Sequence, residues 1–171
     1  MLMLIQEFSL SIDFNGIVIF SYPDIDQLYN GIVSGQNILN DFIHTDLGDK
    51  VMDDGLVIPV VNIDDGDYLI RIFYDEPSDQ GIEVVFLESG FPMKINESIF
   101  CADAAVFWDW EENLGWHKLD ISPGFYSVDA RGVKHLRDHG GCIPGYDFIF
   151  KRVLSLPKRT AKTRADSRIF K

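Results

Sequence analysis

The sequence predicts a mainly β fold: an antiparallel, eight-stranded β-sandwich built from two four-stranded repeats. Long stretches alternate apolar and polar residues at period two, glycine-containing turns separate several of them, and the second half repeats the first in order. A chain of 171 residues, 46% of them hydrophobic, is long enough to bury one core. We therefore expect a single domain over residues 1–157, with repeat copies at about 7–90 and 98–157.

The longest alternating stretch is FSLSIDFNGIVIFSY, at residues 8–22. Its apolar side chains at even positions fall on one face of an extended chain: Phe8, Leu10, Ile12, Phe14, Val18, Phe20 and Tyr22. This pattern is typical of a half-buried strand. We expect one long strand here.

Two further apolar runs, LVIPVVNI and DYLIRIFYD, flank the acidic residues and glycine at 64–66. This arrangement predicts a hairpin, because Gly66 can adopt the positive φ that a tight turn needs. The run GIEVVFLE, at residues 81–88, predicts a fourth strand.

Residues 23–55 separate the first of these strands from the second. They carry apolar residues near helical spacing: Leu28, Ile32, Val33, Ile38, Leu39 and Phe42. We expect one or two short helices in this insertion, interrupted at Gly31 and Gly35.

Three segments of the second half match segments of the first, in the same order. SIFCADAAVFWDW matches SLSIDFNGIVIFSY at an offset of 88, KLDISPGFYSV matches VVNIDDGDYLI at 58, and GYDFIF matches GIEVVF at 64. Each copy alone is too small to bury its apolar face, which favours two copies packed as one sandwich.

The chain has the features of a cytoplasmic protein. No apolar run approaches the roughly 18 residues of a membrane helix, and the opening MLMLIQEF lacks the positive flank of a signal peptide. Cys101 and Cys142 do not form a disulfide framework in a chain of this size. We expect two thiols in a reducing compartment and no membrane partner.

The net charge of −12 is unevenly distributed. Up to residue 150 there are 7 Lys and Arg against 26 Asp and Glu, whereas residues 151–171 hold 8 against 1. A body this acidic repels nucleic acid and attracts basic surfaces. We therefore expect no nucleic-acid partner for the body, and a basic, flexible tail at 158–171.

The densest acidic stretch is NIDDGDYLIRIFYDEP, at residues 62–77. A calcium loop needs ligands over about a dozen residues, and this stretch becomes a strand too soon. Catalytic carboxylates need a cleft that raises one pKa, and a hairpin turn is exposed. A solvated acidic loop and a functional display of charge both remain open. The second copy has SPGFY at this turn, so the turn requires the glycine and the tyrosine but not the acids.

Charge display gains support because acidic groups recur in MDDG, YDEPSD and WDWEEN. Trp108 and Trp110 share a face at period two and are expected in the core, whereas Trp116, beside the EENLG loop, is expected to be a contact anchor. We predict that a protein partner binds Asp53, Asp54, Asp64, Asp65, Asp67, Asp75, Glu76, Asp79, Glu111, Glu112 and Trp116.

The sequence contains few residues placed for metal or catalytic chemistry. His135, His139 and Cys142 have spacings that zinc can use, but a fourth ligand is missing nearby unless His117 or Cys101 reaches the site. Isolated His and Cys residues are more often loop polar groups and buried thiols, so we expect no metal and no cofactor. Cys101 lies in an apolar strand-like run, and no G-x-S-x-G, P-loop or H-E-x-x-H motif occurs. We predict no catalytic residue and no enzyme activity.

The opening strand LSIDFNGIVIF, the hairpin LDISPGFYSV and the acid-rich loops together resemble the small immunity proteins of bacterial toxin systems, such as contact-dependent inhibition and polymorphic toxin systems. The chain is also similar to the inhibitor family of the competence-associated DNA-entry nuclease. The likeness spans roughly residues 7–157. It implies a binding protein that neutralises a toxin, often a nuclease with a basic active site.

Physical reasoning leads to the same class of protein. Nucleases bind phosphate through Lys and Arg, so acidic loops fixed on a β scaffold can occupy such a site. We predict an immunity protein that neutralises a cognate basic toxin, with a nuclease favoured. The alternative is a non-catalytic structural or interaction domain, or a carbohydrate-binding β-sandwich, because this fold hosts many functions.

Overall fold

The computed structural model describes residues 3–170. Within this range the strands are β1 Leu4–Ile12, β2 Gly16–Tyr22, β3 Val57–Val61, β4 Gly66–Tyr74, β5 Ile82–Ile95, β6 Ser98–Asp103, β7 His117–Lys118, β8 Gly124–Leu136 and β9 Cys142–Val153. The helices are α1 Asp24–Leu28, α2 Ile38–His44, α3 Leu47–Asp53 and α4 Ala105–Trp108. The mainly β prediction is therefore confirmed.

The strands form two sheets, and their inner faces share one core. The first sheet has the order β1-β4-β9-β8-β5 and the second has the order β3-β2-β6-β7. Ile17 and Ile19 of β2 meet Ile70 and Ile72 of β4 in this core. The prediction of eight antiparallel strands is wrong in two respects: the described residues form sheets of five and four strands, and β4 pairs with β9 in parallel.

The ninth strand arises because the stretch predicted as one strand over residues 8–22 is two strands. Asn15 adopts a positive φ of 62°, and the chain turns there from β1 in the first sheet to β2 in the second. Asparagine tolerates this left-handed conformation better than other residues with a side chain. The Asn-Gly pair at 15–16 is a turn signal that the strict alternation around it conceals.

Helices cover the outer face of the second sheet. Ile25 of α1, Ile38 of α2 and Val51 of α3 pack against Val18 and Phe20 of β2. Residues 23–55 were expected to form one or two helices, and in the structure they form three, α1, α2 and α3. Gly31 and Gly35 lie between α1 and α2, as expected. None of the described helices has the length and apolar character needed to span a membrane.

The strand pairings divide the chain differently from the predicted copies at 7–90 and 98–157. Residues 105–108 form α4, so the predicted match of Val18 to Val106 aligns a strand with a helix. The pairings β1 with β4 and β2 with β3 recur as β5 with β8 and β6 with β7. Strand β9 has no counterpart in this scheme and lies between β4 and β8.

The match at an offset of 58 does correspond to a shared local structure. Gly66 and Gly124 begin β4 and β8 with φ of 152° and 149°. In both turns a tyrosine two residues after the glycine donates its hydroxyl to a backbone carbonyl four residues before it. Tyr68 donates to the Asp64 carbonyl at 2.6 Å, and Tyr126 donates to the Ser122 carbonyl at 2.7 Å. Each hydroxyl is thereby satisfied by the turn that precedes its strand.

Residues 158–170, which we call the C-terminal strap, lie against the body, in contrast to the flexible tail that was expected. The strap runs between β5 and β3, the edge strands of the two sheets: Ala161 N–H donates to the Gly90 carbonyl, and Ser167 N–H donates to the Asn62 carbonyl. Its Ile169 is 3% exposed and joins the core between the sheets. The composition of the strap is basic, but its apolar residues hold it in place.

We expect Ile169→Ala to lower the free energy of unfolding by about 2–5 kcal/mol, because the change leaves a cavity in the core. Leu154→Ala is the matched control, since Leu154 is fully exposed and its loss should change stability by less than about 0.5 kcal/mol. Urea unfolding followed by tryptophan fluorescence measures both. Equal midpoints for the two variants would contradict the packing of the strap.

Candidate functional site

The predicted carboxylates lie on two opposite faces of the molecule. Asp75, Glu76 and Asp79 belong to the loop 75–81, which lies on the outer face of the first sheet. Asp53 and Asp54 end α3, over the outer face of the second sheet. One flat partner surface therefore cannot contact all of the residues that the sequence singled out.

A buried ionic network fixes the loop 75–81. The carboxylate of Asp147, which is 0% exposed, accepts from Arg71 Nε at 2.8 Å and Nη2 at 2.6 Å, and from Arg131 Nε at 2.8 Å. Arg131 also donates to Asp79 at 2.7 Å and to the Ser78 carbonyl at 2.6 Å. The network contains two guanidinium groups and two carboxylates, so its charges balance. It holds the Asp79 carboxylate in a defined position at the surface.

The carboxylates at the end of α3 are already paired within the chain. Arg159 of the strap donates from Nε to Asp53 at 2.7 Å and from Nη2 to Asp49 at 3.3 Å. Asp54 pairs with Lys50, one helical turn earlier. Exposed pairs of this kind contribute little to stability, and they reduce the charge that Asp53 and Asp54 can offer to a partner.

The turn that joins β3 to β4 carries three more of the predicted carboxylates. Those of Asp64 and Asp65 are exposed and make no hydrogen bond or ion pair with the residues that the structure describes. Asp67 accepts a hydrogen bond from the Ser11 hydroxyl of the neighbouring β1. This turn lies where the chain passes between the two sheets.

Glu111 and Glu112 lie in the loop after α4, on the side of the second sheet. Glu111 accepts from the Ser34 hydroxyl at 2.5 Å, and Glu112 accepts from the Tyr22 hydroxyl. The hydrogen bond to Glu112 is the main cause that raises the pKa of Tyr22 to about 12. Both carboxylates are thus held by hydroxyl groups of neighbouring elements, and neither is paired with a cation that the structure describes.

One of the three tryptophans, Trp108, differs from its predicted place in the core. Trp110 is buried as expected, whereas Trp108 is 53% exposed because α4 breaks the strand period on which its prediction rested. Trp116, predicted to be a contact anchor, is half-buried and has ring contacts with Phe20 at 5.0 Å and Trp110 at 4.9 Å. Its indole N–H has no hydrogen-bond partner among the described residues.

The histidines and cysteines do not form a metal cluster. Within residues 3–170, no three His, Cys, Asp or Glu side chains are placed to hold an ion. His139 is exposed in the turn between β8 and β9, and Cys142 lies opposite Leu136 in that hairpin. Burial raises the pKa of the Cys101 thiol, which disfavours the thiolate that nucleophilic catalysis would need.

Sequence reasoning missed an apolar cavity on the helical side of the molecule. The cavity has a volume of about 190 Å³ and lies between the outer face of β2 and β3 and the helices α2 and α3. The spacing of Leu39, Phe42 and Val51 indicated a buried helical face, but it did not indicate that space remains beneath that face.

We expect Asp147→Asn to lower the free energy of unfolding by about 3–5 kcal/mol, because it leaves two buried guanidinium groups with less negative charge. The double variant Asp64→Asn, Asp65→Asn is the control and should unfold at the wild-type midpoint, because both carboxylates are exposed and unpaired. Chemical denaturation of the three proteins gives the comparison. A large loss in the double variant would show that the turn acids are structural.

His135 gives a prediction about pH. Burial is the main cause that lowers its pKa below 6.5, and Arg71 adds to the effect, so the unfolded chain binds the proton more tightly than the folded chain. This contribution to stability is present above about pH 6.5 and is lost as the pH falls below that value. His135→Gln should therefore unfold with a shallower dependence on pH between 7 and 5 than the wild type, measured by thermal unfolding. Identical slopes would contradict this.

No family model matches the chain, and no curated protein does. Two solved structures are similar to the chain. ComJ from Bacillus subtilis, described as an inhibitor of the DNA-degrading activity of NucA, is 13% identical with a TM-score of 0.54, and the match covers 90% of this chain and 99% of ComJ. A protein described as Crocagin biosynthetic gene J is 13% identical with a TM-score of 0.45, covering 87% of this chain and 96% of that one.

The ComJ match confirms, at the level of fold, the resemblance to the inhibitor of the competence-associated DNA-entry nuclease. At 13% identity it concerns the arrangement of the strands and not the residues of a site. The chain therefore shares its overall fold with a solved nuclease inhibitor.

Proposed function

We propose that the chain is an immunity protein that binds and neutralises a cognate basic toxin, with a nuclease as the favoured target. The observation that carries the proposal is a pair of carboxylates that neutral hydroxyl groups of the protein hold in position, Glu111 on Ser34 and Glu112 on Tyr22. ComJ, which has a similar fold, is described as a nuclease inhibitor and supports the proposal.

Fixed carboxylates suit the inhibition of a nuclease for a physical reason. A nuclease binds the phosphates of its substrate with Lys and Arg side chains, and a carboxylate presents a comparable negative charge with hydrogen-bond acceptors. Carboxylates already held in position lose little side-chain entropy when the partner binds. Inhibition of this kind requires the inhibitor to bind and needs no catalytic residue.

The opposite placement of the acidic groups separates two roles for them. Long-range attraction depends on the total charge, so carboxylates on both faces contribute to the association rate. Dissociation depends on close contacts, so only the face that touches the partner affects it. The partner thus contacts one face, while both faces attract it.

We expect association with the nuclease that co-purifies from the native host to slow by tens of fold as salt rises from about 0.05 to 0.5 M, while dissociation changes less. Neutralising Asp75 and Glu76, or Glu111 and Glu112, should slow association in both cases. Only one of the two pairs should also speed dissociation. Stopped-flow mixing and surface plasmon resonance measure these rates.

The controls separate charge from folding. Each neutralised pair must unfold at the wild-type midpoint before its rates are compared. Tight binding to a basic nuclease that is indifferent to salt and to both pairs would rule out inhibition through charge. Binding of DNA or RNA by the intact chain, with no nuclease captured, would contradict the proposed function itself.

A further inference from the structure

The cavity beneath α2 and α3 has almost entirely apolar walls. Val18 of β2 and Val57 of β3 form its floor, and Leu39, Phe42 and Val51 of the two helices form its sides. Thr163 of the strap lies at its rim. Apolar walls of this kind favour an apolar occupant, because a polar group would find no hydrogen-bond partners there.

The size of the cavity points to a single side chain. Sites for drug-sized molecules occupy about 300–1,000 Å³, which exceeds the 190 Å³ available here. An apolar cavity of about 150 Å³ is known to accept a benzene molecule. A leucine or phenylalanine side chain therefore matches the space.

The surroundings of the cavity are acidic and partly apolar. Residues 41–54 contain five aspartates and one lysine. Ile43, which lines the cavity, is 64% exposed although it is a large apolar residue. An exposed apolar side chain beside an apolar cavity and an acidic rim is a typical arrangement for a protein interface.

The chain's own Arg159 shows that this rim binds a cationic side chain. Its guanidinium group contacts Asp49 and Asp53 of α3 and lies 3.6 Å from the sulfur of Met52, which lines the cavity. Lys50 pairs with Asp54, and Lys158 and Lys162 of the strap also lie beside Asp53, so five aspartates face four cations here. Among the described residues, Asp41 and Asp46 have no cationic partner, and a cationic group of a partner would meet these two carboxylates.

The groove on the opposite face is less suited to a basic partner. It lies beside the loop 75–81 and is lined by two cations, Arg131 and Lys151, and by two carboxylates, Asp75 and Asp129, so its lining carries no net charge. Asp129 in this groove is already paired with Lys151 at 2.7 Å. Of the two faces, the helical face combines negative charge with an open apolar cavity.

We propose that the cavity between α2, α3 and β2–β3 receives one apolar side chain of the basic partner, of leucine or phenylalanine size, with an adjacent Lys or Arg of the partner on the aspartates of residues 41–54. This inference rests on the proposed function, because it assigns the contact face of the same inhibitor. The face covered by α2 and α3 is then the one that touches the partner. The carboxylates of the loop 75–81, on the opposite face, only attract the basic partner over a long range.

The first test needs no partner protein. The probe is the dipeptide N-acetyl-Phe-Arg-amide, and N-acetyl-Phe-Glu-amide is the matched probe of opposite charge. We expect titration with the first to shift the NMR signals of the Leu39, Val51, Val57 and Val61 methyl groups, and the second to bind at least several-fold more weakly. Shifts confined to other methyl groups, or equal affinities for the two probes, would overturn the inference.

Variants that fill the cavity supply the control. Val61→Phe places a ring in the cavity from β3, and Thr163→Phe does so from the strap, so the test survives if one of them fails to fold. Either change should abolish the methyl shifts. Val84→Phe, on the exposed part of β5, adds the same ring outside the cavity and should leave them intact.

The second test uses the captured nuclease. The folded filling variant should dissociate about tenfold faster or more, with association changed less than twofold, because a lost anchor acts on close contacts. Wild-type dissociation rates in the filling variant would overturn the inference while leaving the proposed function standing. A wild-type chain that binds no nuclease would refute the proposed function, and the dipeptide titration would still decide whether the cavity binds an apolar side chain beside a cation.

Discussion

The buried network of Arg71, Asp147 and Arg131 is the interaction on which the arrangement of the first sheet depends. Asp147 lies on β9, and its two arginines lie on the strands at either side of it, β4 and β8. The network therefore links the three central strands across the face that points away from the core. A buried carboxylate needs such partners, because its desolvation is otherwise costly. The position of β9 between β4 and β8 supplies them.

Much of the fold follows from local patterns in the sequence. Alternation at period two located most strands, and the glycine at position 66 marked a turn. The hairpin predicted at that turn is wrong, because β3 and β4 lie in different sheets and pair with β2 and β1. The sheet order was not predictable in this way, because alternation shows which face of a strand is buried but not which strand lies beside it. The parallel pairing of Leu69 with Gly145 joins residues far apart in sequence and leaves no local signal.

The candidate site was predictable in part. The acidic residues were recognised as surface groups, and Asp64 and Asp65 are exposed as expected. Their distribution over two faces was hidden, since it depends on the passage of the chain between sheets at Asn15 and after Asn62. The pairing of Asp53 with Arg159 was equally hidden, because the strap reaches α3 only through the packing of its apolar residues against the core.

The parallel pairing of β4 with β9 also has a consequence for the kinetics of folding. Every residue pair in that ladder closes a long loop, which is entropically unfavourable until the surrounding contacts form. Arg131 and Asp147 face each other in the local β8–β9 hairpin, whereas Arg71 gains Asp147 only when β4 joins β9, and a buried Arg71 without that carboxylate is unfavourable. We therefore expect the β8–β9 hairpin to form before β4 joins it, so that the parallel ladder completes the first sheet at a late stage of folding.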